Sequence, residues 1–122
     1  MGIDLGTTFS VVGISTNWSD NVEIVQNSVG NKITPSRVGF AEDRRIIVGE
    51  LASSQPVCIY DAKRLIGKPY SQLVREKLPE KLNFEVAEGA RDRCKISIPG
   101  KDPLNAEQIS AYVLGVLKKS VE

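Results

Sequence analysis

Short apolar runs separated by tight polar corners open the chain. Ile3-Asp4-Leu5 is followed at once by Gly6-Thr7-Thr8, and Ser10 to Ser15 carries the β-branched residues Val11, Val12 and Ile14. Val22 to Gln26 then alternates apolar and polar side chains. Period-two alternation and β-branching both favour strands. The pattern therefore predicts an antiparallel meander of three strands, with the glycine-threonine corner at its first bend and a polar turn over 17–21.

Turn formers dominate 27–35, where Gly30-Asn31 marks the bend and Pro35 holds Thr34 extended. Short strands are expected at Val38 to Phe40 and Arg45 to Val48, around the turn Glu42-Asp43. A brief helix over 50–55 should end at Pro56. Asp61 is placed to cap a helix through Ile66, with Gly67 as its stop and Pro69 beyond. Ser71 to Glu80 reads as another short helix, and Phe84 to Ala87 and Lys95 to Ile98 as strands. The last segment is the clearest helix. Asn105 and Gln108 have capping-box spacing, Ile109, Tyr112, Val113, Val116 and Leu117 recur at helical spacing, and Lys118 and Lys119 suit the negative end of the dipole. That stripe runs on to the chain's end, so it is expected to dock partly on something outside these residues, as in a fragment of a larger domain.

Composition narrows the chemistry. The 122 residues hold sixteen Lys and Arg against fifteen Asp and Glu, a net charge of +1, which argues against a nucleic-acid binder driven by bulk charge. No basic residue precedes Lys32. An anion near the N-terminus must therefore be held by backbone amides, a metal, or cations from later in the chain. There is no histidine, and Cys58 and Cys94 are not in a CxxC, which excludes the common zinc sites and Cys/His catalysis. The cysteines could form one disulfide; two separate buried thiols are the expectation. No apolar run reaches the ~20 residues of a membrane span, and 1–20 lack a signal peptide's basic start and apolar stretch, so a soluble, reducing, cytoplasmic setting is expected.

Two short constellations carry the candidate chemistry. In Gly2-Ile3-Asp4-Leu5-Gly6-Thr7-Thr8, Asp4 is expected to end a buried strand beside the turn. Gly6 allows positive φ and close backbone approach, so successive amides can face a phosphate oxygen. A carboxylate beside a phosphate needs a cation between them, and Mg²⁺, which keeps its waters and takes one or two carboxylates, is the natural bridge. An ordinary glycine-cornered hairpin explains the same residues without chemistry. In Asp61-Ala62-Lys63-Arg64-Leu65-Ile66-Gly67, Lys63 can supply the missing positive charge, orienting water and stabilising a transferred phosphoryl group, with Arg64 directed elsewhere. A solvated Lys-Arg pair on a short helix is the plainer alternative. Gly30 to Ser36 reads as a simple loop, and Cys58 and Tyr60 as core packing.

Together GIDLGTT, GN-x-x-TPS, VGE-x-A and DAKRLIG, in this order and approximate spacing, resemble the 70-kDa heat-shock chaperone family at the start of its ATPase domain. The resemblance continues more weakly through Glu107 to Ser110 and so covers essentially residues 1–122. It implies an α/β, actin-like (ribonuclease H-like) ATPase fold. These residues would form the N-terminal fragment of lobe I, with a mixed sheet, short helices and a C-terminal helix. It further implies ATP and ADP as nucleotides. Gly6, Thr7, Thr8 and Phe9 would be the first phosphate loop, Asp4 the carboxylate that reaches Mg²⁺ through water, and Lys63 the catalytic lysine. Unfolded or extended polypeptides, J-domain co-chaperones and nucleotide exchange factors are the implied partners, with no nucleic acid and no membrane.

The sequence departs from the family pattern in places. The stretch between Gly49 and Asp61 is about five residues short, Phe9 stands for the more usual tyrosine, and Ile33 and Arg37 are atypical. The second phosphate loop, the adenosine pocket, the other catalytic carboxylates and the peptide-binding domain would all follow residue 122. This segment alone is therefore expected to bind ATP poorly and hydrolyse it hardly at all. A small-molecule (sugar) kinase of the same superfold also opens with a strand and an Asp-x-Gly-Thr-Thr loop, but has no reason for the DAKRLIG lysine. A filament-forming relative lacks that lysine too. A decayed regulatory homologue should have lost Asp4 or Lys63.

Overall fold

The computed structural model describes residues 1–15 and 21–121; the turn expected over 17–21 lies almost wholly outside them. Strands β1 (Gly2–Leu5), β2 (Phe9–Ser15) and β3 (Val22–Ile24) form the predicted antiparallel meander, with Leu5 opposite Ser10 and Ser15 opposite Val22. A two-residue strand, β4 (Thr34–Pro35), pairs with the start of β2. One edge of β2 is thus taken by β1, while β3 and β4 share the other. Pro35 has no amide to give the ladder, and the pairing proceeds through the Ser36 amide, which donates to the Thr8 carbonyl at 2.9 Å.

A second sheet has β5 (Val38–Phe40) between β6 (Ile46–Val48) and β7 (Val57–Ile59). A third is the hairpin of β8 (Val86–Glu88) and β9 (Cys94–Ile96). Every ladder among the described residues is antiparallel, where a mixed sheet was expected. Parallel pairing needs a crossover of a dozen or more residues, usually a helix, and the one long helix here follows the last strand.

That helix, α2 (Ala106–Lys119), starts as its sequence predicts. Asn105 Oδ1 accepts from the Gln108 amide at 2.8 Å and Gln108 Oε1 accepts from the Asn105 amide at 2.8 Å. Its buried stripe is Ile109, Val113 and Leu117, with Tyr112 half buried and Val116 exposed. The stripe packs on Val12, Val38, Ile59, Leu65 and Ile96 in one continuous core.

The middle of the chain departs most from expectation. Asp61 is not a side-chain cap: it adopts a left-handed conformation (φ 56°), and a single 3₁₀ turn, Ala62–Arg64, follows it. Gly67, also left-handed (φ 74°), closes the segment as predicted. The helix expected over 71–80 is α1 (Tyr70–Arg75), after which Pro79 opens a separate 3₁₀ turn. The first turn of α1 is capped from a distance, the Ser71 amide donating to Asp92 Oδ1 at 2.9 Å. Tyr60 packs edge-on against Phe84 beneath the Arg37 guanidinium, a packing role as expected. Cys58 and Cys94 are free thiols whose pKa values burial raises.

The reciprocal cap at Asn105 gives a direct test. Asn105→Ala should weaken the start of α2 by about 1 kcal/mol. Hydrogen exchange at the Gln108 amide should then run roughly fivefold faster, while exchange in β5 stays unchanged.

Candidate phosphate-binding corner

Side-chain alternation decides which face of β1 meets the core. Ile3 and Leu5 pack against it, and Asp4 between them is exposed on the opposite face. The expected burial of this strand is therefore only half realised: β1 is an edge strand, and its carboxylate stands in the open two residues before Gly6.

The corner that follows, Gly6-Thr7-Thr8, is crowded from within. Gly6 does not have positive φ, contrary to expectation. Glycine is required because a Cβ there would run into the Phe9 carbonyl oxygen. The turn doubles back so closely that only a hydrogen fits. Thr7 is half buried, and Thr8 and Phe9 are exposed.

The core delivers Lys63 to this corner. Ala62 and Leu65 are buried, and the 3₁₀ turn packs against α2, which fixes it. Lys63 points outward from it, its Nζ donating to the Leu5 carbonyl at 2.7 Å across 58 residues of sequence. Gly6, Thr7, Ser36, Lys63 and Ser110 line one small crevice. The structure thus brings Gly6 and Thr7 together with Lys63, while Thr8 is exposed outside the crevice, Phe9 lines a separate hollow with Asn31 and Pro35, and Asp4 stands on the adjoining strand. Arg64 turns away towards Asp61, 3.8 Å distant.

Two features behind the corner escaped the sequence reading, which took Gly30 to Ser36 as a simple loop. Ser36 is buried; its hydroxyl donates to the Gly6 carbonyl at 2.9 Å and lies 2.8 Å from the Ser10 hydroxyl. Asn27 forms the second. Its Oδ1 accepts from the Val29 and Asn31 amides, and its Nδ2 donates to Thr34 Oγ1 at 3.0 Å and Glu50 Oε1 at 2.9 Å. Asn31 Nδ2 also donates to Glu50 Oε1, at 3.1 Å. The signal available in the sequence was Thr34 and Ser36 flanking a proline at strand spacing, two hydroxyls on one buried face.

A larger concavity, about 680 Å³, lies elsewhere, between Lys68, Arg91, Arg93, Lys95 and the start of α2. Its cations are offset by Asp92 and Glu107 in the same wall, and Lys68 is already paired with Glu76 at 3.4 Å. Among the described residues no group of three or more His, Cys, Asp or Glu could hold a metal. Asp4 would therefore hold a divalent cation only together with waters and phosphate oxygens, the pattern Mg²⁺ accepts. No described helix is long and apolar enough to cross a membrane.

Partial burial of Glu50 works to raise its pKa, but the hydrogen bonds from Asn31, from its own backbone amide and from Asn27 together outweigh this and leave it below the ordinary glutamate value. The folded state therefore binds the proton less readily than the open one. The carboxylate's contribution to the clip is full above the ordinary glutamate pKa and lost as pH falls through the lower folded value. Acidification should lower the protection factor of the Asn31 amide, the unprotected exchange rate at the same pH divided by the observed one, in the wild type, and Glu50→Gln should flatten that dependence; equal protection profiles would exclude the clip.

The family model described as "Hsp70 protein" matches residues 1–122. Among curated proteins the chain is 38% identical over 130 residues to "Heat shock 70 kDa protein BIP3" of Oryza sativa subsp. japonica, and 39% identical over 130 residues to "Heat shock cognate HSP70 protein" of Trypanosoma brucei brucei. It is 36% identical over 129 residues to "Putative heat shock 70 kDa protein 7" of Homo sapiens. All of this chain is covered each time, but only 19%, 19% and 34% of those proteins, so it spans a fifth to a third of their length. With its glycine-threonine corner and opposed lysine in place and the whole sequence matched, the chain belongs to the Hsp70 family.

Proposed function

We propose that these residues form one wall of an ATPase site whose turnover drives a chaperone cycle, within an actin-like (ribonuclease H-like) lobe. The observation that carries this reading is the Lys63 ammonium on the Leu5 carbonyl, which sets a cation beside a corner that has no basic residue of its own. Backbone amides of Gly6, Thr7, Thr8 and Phe9 hold the phosphates, since a tight corner offers several N–H groups to one anion. Lys63 leaves the carbonyl for the phosphate, orients the attacking water and offsets charge on the transferred group. Asp4 would hold Mg²⁺ through water, and the ion would supply positive charge against the phosphate oxygens. The remaining walls of the site, and the surfaces for unfolded polypeptides, J-domain co-chaperones and nucleotide exchange factors, belong to sequence these residues do not include. The two free thiols fit a reducing, cytoplasmic setting. Nothing in the relatives favours the sugar-kinase alternative.

The experiment is single-turnover hydrolysis of Mg-ATP by the intact polypeptide that carries this sequence, wild type beside Lys63→Ala. The variant should bind Mg-ATP within a few-fold of wild type and hydrolyse it at least about 100-fold more slowly, the scale of losing one electrostatic group in a transition state. Equal rates would make Lys63 a surface lysine.

A further inference from the structure

We propose that Ser36 is a positioning residue for nucleotide binding: it clamps the back of the Gly6–Phe9 corner and so aims the Thr7 and Phe9 amides. The inference rests on the phosphate-binding reading of that corner and adds to it the device that sets its geometry.

Ser36 grips the corner at two points. Its hydroxyl donates to the Gly6 carbonyl at 2.9 Å, and its amide donates to the Thr8 carbonyl at 2.9 Å. A hydroxyl has one hydrogen to give. With that hydrogen on Gly6, the 2.8 Å contact between the two serine hydroxyls is a hydrogen bond from Ser10 to Ser36. Ser10 is fully buried on β2, so the clamp is anchored to the central strand of the sheet.

The consequence follows from the peptide bond. In a planar trans peptide the C=O and the next N–H point in opposite directions. Holding the Gly6 carbonyl towards Ser36 turns the Thr7 N–H away from it, and holding the Thr8 carbonyl does the same for the Phe9 N–H. Two alternate donors of the corner are thereby fixed on the side opposite Ser36 before any anion arrives, which removes the ordering cost from the binding step. Nothing in this arrangement touches the ligand. Behind Ser36, the Asn27–Glu50 clip ties down Thr34, two residues earlier, so the clamp has a rigid base.

The test is equilibrium binding of Mg-ADP to the intact polypeptide that carries this sequence, comparing wild type, Ser36→Ala and Ile96→Val. The last loosens the core at a fully buried residue of β9, away from the corner. Ser36→Ala should weaken binding roughly three- to tenfold, the worth of one or two lost hydrogen bonds, while Ile96→Val stays within about twofold. Should Ser36→Ala fold poorly, Ser10→Ala removes only the anchor of the clamp and should weaken binding about two- to threefold. Binding by Ser36→Ala within twofold of wild type, or an equal loss in Ile96→Val, would overturn the clamp. A wild type that binds no Mg-ADP would instead sink the phosphate-binding reading itself.

Discussion

Strand β2 is paired on both edges, and most of what matters in this chain hangs from that fact. On one side β1 runs back from the glycine-threonine corner. On the other, β3 and β4 divide its length between them, and β4 brings Ser36 to the rear of the same corner. The inward side chains of β1 and β2 also join the same core as the 3₁₀ turn that carries Lys63, and the closing helix packs on both β1 and that turn. If β2 slipped by one residue, every one of its side chains would change face. Val12 would leave the core, and Ser10 would leave Ser36.

The proposed phosphate site is built almost entirely from backbone. A negatively charged phosphate near the N-terminus would meet no Lys or Arg in the first thirty-one residues, so the corner would rely on amide dipoles, which act only when fixed in direction. Direction comes from crowding in front, where Gly6 lies against the Phe9 carbonyl, and from the hydroxyl and amide of Ser36 behind. Lys63 then adds a full charge from a distant part of the chain. Its present bond to a neutral carbonyl is one it can exchange for a phosphate oxygen without breaking an ion pair.

What could be read in the sequence was whatever is local. The meander follows from alternation and tight corners, and the α2 cap from Asn105 and Gln108, three residues apart. Reasoning failed where one local signal allowed two outcomes. Asp61 has the composition of a helix cap, but its left-handed backbone turns the side chain from that role. The left-handed Lys77 (φ 57°), with Pro79 beyond it, splits what looked like one helix. Strand β7 hides in Val57-Cys58-Ile59, too short to show a period. Pairings across long separations were invisible: Lys63 with Leu5, Ser36 with Gly6, Asn27 with Glu50. That Lys63 could serve the N-terminal corner was one of two readings of its own residues, strengthened by family resemblance; its bond to Leu5 and the other two pairings came from the structure.

The central claim is that the Gly6–Phe9 backbone receives the phosphates, and amide chemical shifts read that most directly. Titrating Mg-ADP into the isotope-labelled intact polypeptide should move the amide signals of Gly6, Thr7, Thr8 and Phe9 together, along one saturating curve. Shifts centred instead on Arg91, Arg93 and Lys95, at the larger cleft, with the corner amides unmoved, would contradict the account.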